Sequence, residues 1–304
     1  MIPATLRILR AGPAATIQDK GRPGQLCYGI GESGPMDRSG FDRAGRWLGA
    51  AGEAGIEFTR TGLSFVLENK KVQASFDGGD FRLTVNGKKQ KWPAVIKLAA
   101  GDVVDITPGD WGNFGYVRLD RQIDVEPVLG SRATNMVTGL GGLQGRALAA
   151  GDIVPLVQIN ALGQPQKAVP QPRPEAAPIR VTWGIHADLF DADLRQKFVS
   201  TPFTVSSRID RMGFRLEDGA GVFAETRVLS LVSDAVIAGD IQILGDGTPI
   251  VLMRDHQPTG GYPRIATVIT ADLDRFAQLR PGTAVSFAPI GLAKAQALIA
   301  GGAA

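Results

Sequence analysis

The sequence predicts a mainly β protein built of two β-barrel or sandwich domains, each with one or two short helices. Its 304 residues include 39 glycines and 19 prolines, which favour many turns over long helices. Both halves consist largely of short apolar or alternating runs that end in turn residues. Hydrophobic residues make up 44% of the chain and charged residues 21%, a balance typical of a globular protein with a sizeable core.

The predicted strands are short and regularly spaced. They are 63–69, 81–87, 103–109 and 114–120 in the first half, and 178–184, 227–243, 248–253 and 283–290 in the second. A glycine-containing turn followed by a β-branched strand recurs at 98–106, 148–156 and 279–287. This weak repeat predicts that both halves close their sheets with one kind of hairpin.

Four segments have features of helices. In 36–50, Phe41, Ala44 and Leu48 recur at helical spacing and Gly49 stands near the end. Segment 186–198 carries acidic residues early and Lys197 late, as the helix dipole favours. The other two predicted helices are 270–279 and 293–300.

A linker divides the two predicted domains. Residues 163–178 contain five prolines and little that packs in a core. We therefore expect one domain over 1–165 and a second over 166–304, each of ordinary domain size.

Composition also excludes several classes of partner. The net charge is +3 and the basic runs at 69–71 and 86–91 are interpreted as solvated hairpin tips, so no nucleic-acid partner is expected. No apolar stretch of about 18 residues and no secretory signal is present, and the single cysteine excludes an internal disulfide. We expect a cytoplasmic protein without a membrane partner. With two histidines and one cysteine, no metal-ligand set is predicted.

Polar residues concentrate in four glycine-containing stretches. They are "TIQDKGRPGQLCYGIGESGPMDR" (16–38), "VLGSRATNMVTGLGGLQGRAL" (128–148), "VSSRIDRMGFRLED" (205–218) and "RDHQPTGGYPRIA" (254–266). Glycines permit close backbone approach and can aim N–H groups at an anion, although an ordered surface loop has the same composition. Arginines such as Arg208, Arg211 and Arg215 can clamp a carboxylate, or form half-exposed ion pairs.

Two residues have a plain alternative to catalysis. Cys27, as a lone cysteine, is expected to be a small buried apolar residue rather than a nucleophile. His256 beside Asp255 suggests a base with an orienting carboxylate. However, neighbours in a strand face opposite sides, which argues against that pair.

Taken in order, the blocks resemble one family. "TIQDKGRPGQ…GESGPMDR", "IDVEPVLGSRAT", "GGLQGRALAAGD", "DRMGFRLE", "GDIQILGDGTPIVLMRDHQPTGGYP" and "LRPGTAVSF" are similar to the signature blocks of the biotin-dependent carboxyltransferase family. That family is also called allophanate hydrolase subunit 2 or urea amidolyase-related, and it includes the C subunit of 5-oxoprolinase. The resemblance runs from about Leu6 to Phe287.

The resemblance implies two cyclophilin-like β-barrel domains and two partner chains. The expected partners are a kinase-inhibitor-like protein (allophanate hydrolase subunit 1) and a lactam-utilisation protein. Together the three chains would open 5-oxoproline to glutamate with ATP, which the complex uses. The alternatives are carboxyl transfer to urea or a related amide, and regulatory binding of the kinase-inhibitor-like partner. Any biotin would be carried by a partner chain, because this chain lacks the A/V-M-K-M biotinylation motif.

Motif positions supply the predicted site residues. Such a site stabilises an anion formed at an amide and holds a small polar substrate. The base is predicted to be Asp37 or Asp255, and the carboxylate clamp Arg211 or Arg132. The predicted catalytic residues are Asp37, Asp255, His256 and Arg211. The predicted substrate-binding residues are Asp19, Arg22, Ser33, Met36, Ser131, Arg132, Gln257, Thr259 and Tyr262. The chain departs from the family's pattern at Cys27, His256 and Pro258, which leaves the substrate open.

Overall fold

The computed structural model describes residues 3–49, 51–159, 164–171, 173, 177–226 and 230–301. The chain forms two compact units, Met1–Gly24 with Glu32–Arg173, and Gln25–Gly31 with Pro174–Ala304. The short segment Gln25–Gly31 thus belongs to the second unit, although the chain on either side of it belongs to the first. The predicted mainly β class is confirmed. Within the described residues, no helix has the length and apolar composition to cross a bilayer.

Four α-helices occur among the described residues, each overlapping a predicted segment. They are α1 (Arg38–Leu48), α2 (Ala192–Ser200), α3 (Thr270–Ala277) and α4 (Leu292–Gly301). The prediction for 186–198 is wrong in its first part. A short 3-10 turn ends there before Asp191, which caps α2 instead, since its carboxylate accepts the Leu194 N–H at 2.7 Å.

The first unit has twelve strands among the described residues. They are β1 (Ala4–Ala11), β2 (Thr16–Gln18), β3 (Gly55–Thr59), β4 (Leu63–Glu68), β5 (Val72–Gly78), β6 (Phe81–Val85), β7 (Lys88–Gln90), β8 (Ala94–Leu98), β9 (Val103–Pro108), β10 (Phe114–Leu119), β11 (Arg121–Ile123) and β12 (Ile153–Gln158). A seven-stranded sheet runs in the order β11-β12-β1-β4-β9-β6-β7, and a five-stranded sheet in the order β2-β3-β10-β5-β8. Buried apolar side chains of both sheets form one core, among them Leu6, Ile8, Phe76 and Val117.

The second unit has ten strands in the part of the chain that the structure describes. They are β13 (Ile179–Trp183), β14 (Phe203–Ile209), β15 (Gly213–Glu217), β16 (Asp234–Ala235), β17 (Asp240–Ile243), β18 (Pro249–Leu252), β19 (Thr259–Gly260), β20 (Arg264–Val268), β21 (Ala284–Val285) and β22 (Phe287–Pro289). Eight of them form one sheet in the order β21-β14-β15-β18-β17-β20-β13-β22, with β16 and β19 paired separately. Its two edge strands flank the single residue Ser286, so the sheet curves into a nearly closed barrel.

The recurrent glycine turn is real but does not form a hairpin. In each of the three copies the glycine has positive φ, and its N–H donates to a carbonyl on a neighbouring strand. The pairs are Gly101 with Leu67, Gly151 with Ile8 and Gly282 with Val205, all at 2.8 Å. The hairpin prediction is wrong, because none of the three turns joins two neighbouring strands of one sheet. The Gly101 turn follows β8 of the other sheet, the Gly151 turn follows a loop, and the Gly282 turn follows the region after α3.

Candidate functional site

The predicted base and clamp of the second unit form a buried ion pair. Arg211 lies in the turn between β14 and β15, and Asp255 in the loop that follows β18. The Arg211 Nε and Nη2 groups donate to the two Asp255 carboxylate oxygens at 2.8 and 3.0 Å. The residues are 2% and 3% exposed. The pair therefore ties the turn to the loop, and each group is engaged by the other.

His256 does not pair with Asp255. Its Nδ1 lies 2.6 Å from the carbonyl oxygen of Gln257, and since a carbonyl accepts, Nδ1 carries the proton. Both Asp255 oxygens already bond to Arg211. The structure thus agrees with the argument from strand geometry against a His–Asp dyad.

A cleft of about 380 Å³ lies on the face of the barrel away from its core. On β15 and β18, Phe214, Leu216 and Val251 are buried in the core, so the alternating residues face the other way. Arg215 and Ile250 are cross-strand partners on that outer face. The polar lining of the cleft consists of Ser207, Arg208, Asp210, Arg215, Gln242, Gln257 and Tyr262.

The cleft carries two arginines that stand outside the ion pairs of the second unit. Arg208 and Arg215 form no ion pair with any of the residues that the structure describes. The Asp210 carboxylate, which also lines the cleft, is engaged by the backbone N–H groups of Met212 and Gly213 at 2.8 and 3.0 Å. Two such guanidinium groups beside two glutamine amides can bind a small ligand that has both a carboxylate and an amide.

In the first unit the predicted loop residues gather around Asp19. Its carboxylate accepts hydrogen bonds from Ser131 Oγ at 2.6 Å, from the Arg132 N–H at 2.6 Å and from the Gly21 N–H at 2.8 Å. Arg22, 1% exposed, donates to the carbonyl of Ala133. Asp19 thus joins the two glycine-containing loops, since Ser131 stands 112 positions further along the sequence.

Asp37 caps α1 rather than standing free. Its Oδ1 accepts the Gly40 N–H and the Ser39 hydroxyl, both at 2.8 Å, and its own N–H donates to Tyr116 Oη at 2.7 Å. The Tyr116 hydroxyl in turn donates to Glu57 Oε2 at 3.0 Å. Burial raises the pKa of Tyr116 well above its usual value, so the phenol stays protonated.

The buried Glu57 carboxylate was missed by the sequence analysis. It is 0% exposed and accepts the Met36 N–H at 2.7 Å, which holds the predicted residue Met36 in the interior. The available signal was a glutamate between Ile56 and Phe58 in strand β3. A buried carboxyl group between apolar residues indicates a specific partner.

A cavity of about 330 Å³ lies next to Asp19 in the first unit. Arg118 lines it and donates to the carbonyls of Phe41 and Gly52 at 3.0 and 2.6 Å, with its guanidinium carbon 3.8 Å from the centre of the Phe41 ring. Burial lowers the pKa of Arg118 to about 10, so the side chain is still positive at neutral pH. Arg118 was not predicted, because it stands inside a strand rather than in a loop.

Asp77 makes the stability of the first unit depend on pH. Burial raises its pKa to about 6, against the opposing effect of Arg43, whose Nε donates to Asp77 Oδ2 at 2.8 Å. The nearby Asp37 charge also raises it. An unfolded chain has the ordinary pKa of about 3.9. The folded state therefore binds more protons between about pH 4 and 6, and the free energy of unfolding falls as pH rises through that window.

We expect the Asp77→Asn variant to lack this component of the pH dependence. Urea denaturation at pH 4.5, 5.5 and 7.0 measures the free energy of unfolding of both proteins. As pH rises, the free energy of unfolding of the wild type should fall relative to that of the variant. Asp110→Asn is the matched control, since the Asp110 side chain is 85% exposed. A difference that is constant from pH 4.5 to 7.0 would contradict the raised pKa.

The remaining predicted residues lie in different surroundings. Ser33 is buried at positive φ, and its hydroxyl is 3.4 Å from Arg22 Nη1. Thr259 is exposed on β19, where it pairs with Ala235. Cys27 is exposed, so the expectation of a buried apolar cysteine is wrong; it lies in a surface 3-10 turn. Among the described residues, no group of three or more potential ligands could hold a metal ion.

Comparison with known proteins shows similarity over nearly the whole chain. A family model described as "Carboxyltransferase domain, subdomain A and B" matches residues 28–289. The C subunit of 5-oxoprolinase from Escherichia coli (strain K12) is 33% identical over 292 residues, which cover 95% of this chain and 93% of that protein. The protein of the same name from Haemophilus influenzae is 30% identical, with coverage of 96% and 93%.

Solved structures of larger enzymes contain the same fold. The urea carboxylase of Kluyveromyces lactis superposes with a TM-score of 0.88 at 25% identity, covering 97% of this chain. The K. lactis urea amidolyase gives a TM-score of 0.87 at 26% identity, also covering 97% of this chain. The chain spans 28% and 19% of those two structures, so it corresponds to one region of each.

Proposed function

The chain belongs to the carboxyltransferase domain A/B family, and from this premise we propose that it is one component of an ATP-dependent enzyme that opens 5-oxoproline to glutamate. One observation carries the choice of substrate. The cleft of the second unit combines two arginines outside the described ion pairs with glutamine amides, in a chain that resembles the C subunit of 5-oxoprolinase over its full length. We propose the cytoplasm as the compartment in which the enzyme works.

The chemistry of 5-oxoproline matches the cleft group by group. Its carboxylate is complementary to Arg208 and Arg215, since a guanidinium group binds a carboxylate through two parallel hydrogen bonds. The N–H of its lactam is complementary to the amide oxygen of Gln257, which also lines the cleft.

In this proposal the clamp is Arg215 with Arg208, rather than Arg211 or Arg132. Arg211 already binds Asp255 through two hydrogen bonds. Arg132 donates from Nη1 to Glu53 at 2.8 Å. Both of these arginines would have to give up a carboxylate of the chain before they could bind one of a ligand.

The buried pair Arg211–Asp255 positions the loop that carries Gln257 and Tyr262. Asp255 and Asp37 remain the two predicted bases. Arg211 donates to both carboxylate oxygens of Asp255, whereas the first turn of α1 donates to Oδ1 of Asp37. The chain's own contribution in this proposal is to bind and orient the lactam.

Partner chains supply the ATP-dependent chemistry in this proposal. The bacterial relatives are named as one subunit of 5-oxoprolinase, and the urea amidolyases contain the similar region within a much longer chain. We propose the kinase-inhibitor-like protein and the lactam-utilisation protein as the partners. The sequence has no G-x-x-x-x-G-K-[ST] phosphate loop of its own.

Carboxyl transfer to urea is the second candidate function. The superposition on K. lactis urea carboxylase favours it. Urea itself has amide groups but no carboxylate, so neither arginine of the cleft has a matching group on urea. For that reason we place 5-oxoproline first.

The proposed function is tested by mixing the purified chain with its kinase-inhibitor-like and lactam-utilisation partners. We expect ATP hydrolysis that 5-oxoproline stimulates and urea does not, and no hydrolysis by this chain alone. Stimulation by urea and bicarbonate in the presence of a biotin-carrying partner would favour carboxyl transfer instead.

A further inference from the structure

Two glutamine side chains form a short relay at the cleft of the second unit. Gln242, 1% exposed on β17, donates from Nε2 to the carbonyl oxygen of Tyr262 at 3.3 Å. Its Oε1 accepts from Gln257 Nε2 at 3.5 Å. Both glutamines line the cleft, yet Gln242 was not among the predicted site residues.

The orientation of the relay follows from its inner end. A backbone carbonyl only accepts, so Gln242 must turn its NH₂ group towards Tyr262. The carbonyl oxygen of the Gln242 side chain then faces Gln257, which must donate to it from its own NH₂ group. Neither amide can flip without placing two acceptors or two donors together, so the order of the polar atoms is determined.

The backbone around Gln242 is adapted to this arrangement. Gly260 has no Cβ, and one built there would lie 2.5 Å from Gln242 Nε2. The ladder between β17 and β20 shifts register between Ile241 and Gln242, which leaves Ile265 as an extra residue. Bulges of this kind re-aim side chains beside functional sites.

We propose that Gln242 is a positioning residue that makes Gln257 present its amide oxygen, and not its NH₂ group, to the N–H of the bound lactam. The inference rests on the proposed function and deepens it. Gln257 Oε1 accepts no hydrogen bond from the described residues, and it is not among the buried side-chain atoms that lack a partner. The cleft thereby selects a ring amide over the corresponding lactone, whose ring oxygen would face Gln257 Oε1 as a second acceptor.

Binding of two probes to the full chain tests this inference. The probes are 5-oxoproline and its lactone analogue, 5-oxotetrahydrofuran-2-carboxylate, in which a ring oxygen replaces the ring N–H. We expect wild type to bind the lactam at least about 10-fold more tightly than the lactone. Gln242→Leu should reduce that ratio to within about twofold, because Gln257 is then free to turn either end of its amide to the ligand. The ratio of the two affinities is the readout, since a merely structural loss would weaken the binding of both probes equally.

The outcomes separate this inference from the proposed function. If wild type binds the lactam and Gln242→Leu keeps the full preference for it, the inference is overturned and the proposed function stands. Wild type that binds neither probe overturns both. Gln257→Leu is the second variant. It removes the proposed acceptor of the lactam N–H and leaves the buried Gln242 unchanged, so it should lose the preference for the lactam over the lactone as well. Unfolding midpoints verify that each variant is folded.

Discussion

Replacing Arg211 with methionine is expected to lower the free energy of unfolding of the second unit by about 3–5 kcal/mol. The substitution leaves the Asp255 carboxylate 3% exposed and without its bidentate partner. Removing one member of a buried pair strands the other charge in a medium that solvates it poorly. Hydrogen exchange of the amides in β15 and β18, measured by mass spectrometry on the full chain, reports this loss locally.

Two further variants test the cause of that loss. The double variant Arg211→Met with Asp255→Leu should recover much of the stability, because it removes both charges together. Arg195→Ala is the matched control; its partner Asp188 has a 99% exposed side chain, so the loss should stay below about 1 kcal/mol. If Arg211→Met costs no more than Arg195→Ala, the pair does not hold the loop.

Removing both arginines of the cleft should weaken 5-oxoproline binding by at least about 100-fold. Each charge-assisted hydrogen bond contributes roughly 1.5–3 kcal/mol, and Arg208 and Arg215 form no ion pair within the described residues. Isothermal titration of the double alanine variant measures the effect. Arg215→Lys should retain part of the affinity, since it keeps the positive charge but loses the planar guanidinium group that makes two parallel hydrogen bonds.

A ligand that lacks the carboxylate provides the control for this experiment. 2-Pyrrolidinone keeps the lactam, so its weak binding should be equal in wild type and in the Arg208→Ala, Arg215→Ala double variant. Arg82→Ala, at an arginine whose side chain is 74% exposed in the first unit, should change the binding of neither ligand. Equal losses for both ligands would show that the arginines support the fold of the cleft rather than bind a carboxylate.

Periodicity and turn residues predicted many of the elements, because local patterns determine them. The strand expected at 63–69 is β4 (Leu63–Glu68), and the helix expected at 36–50 contains α1. The long strand expected at 227–243 is wrong. Its first three residues lie outside the described residues, and the remainder forms β16 and β17, separated at Gly239, which has a φ of 99°. A single glycine in an apolar run carries no sign of which φ it adopts.

The site predictions named individual residues but not their partners, because the partners are far apart in the sequence. Asp19 was predicted from its loop, but its bond to Ser131 joins residues 112 positions apart. The bidentate pair of Arg211 and Asp255 depends on which turn meets which loop, and no local pattern contains that information.

Three polar residues inside strands were missed for a different reason. Each stands inside a strand with an apolar residue on either side, rather than in a polar loop; they are Glu57, Arg118 and Gln242. Such residues are a sequence signal in their own right, since burial requires that they have partners.

The most direct test of the central claim is the formation of glutamate from isotopically labelled 5-oxoproline by the chain reconstituted with its kinase-inhibitor-like and lactam-utilisation partners. Wild type should form glutamate in step with ATP hydrolysis. The Arg208→Ala, Arg215→Ala double variant should assemble into the same complex, yet need at least about 100-fold more 5-oxoproline for the same rate. Glutamate formation that is unchanged in the double variant would place the substrate elsewhere. Its absence in an intact wild-type complex would contradict the proposed function itself.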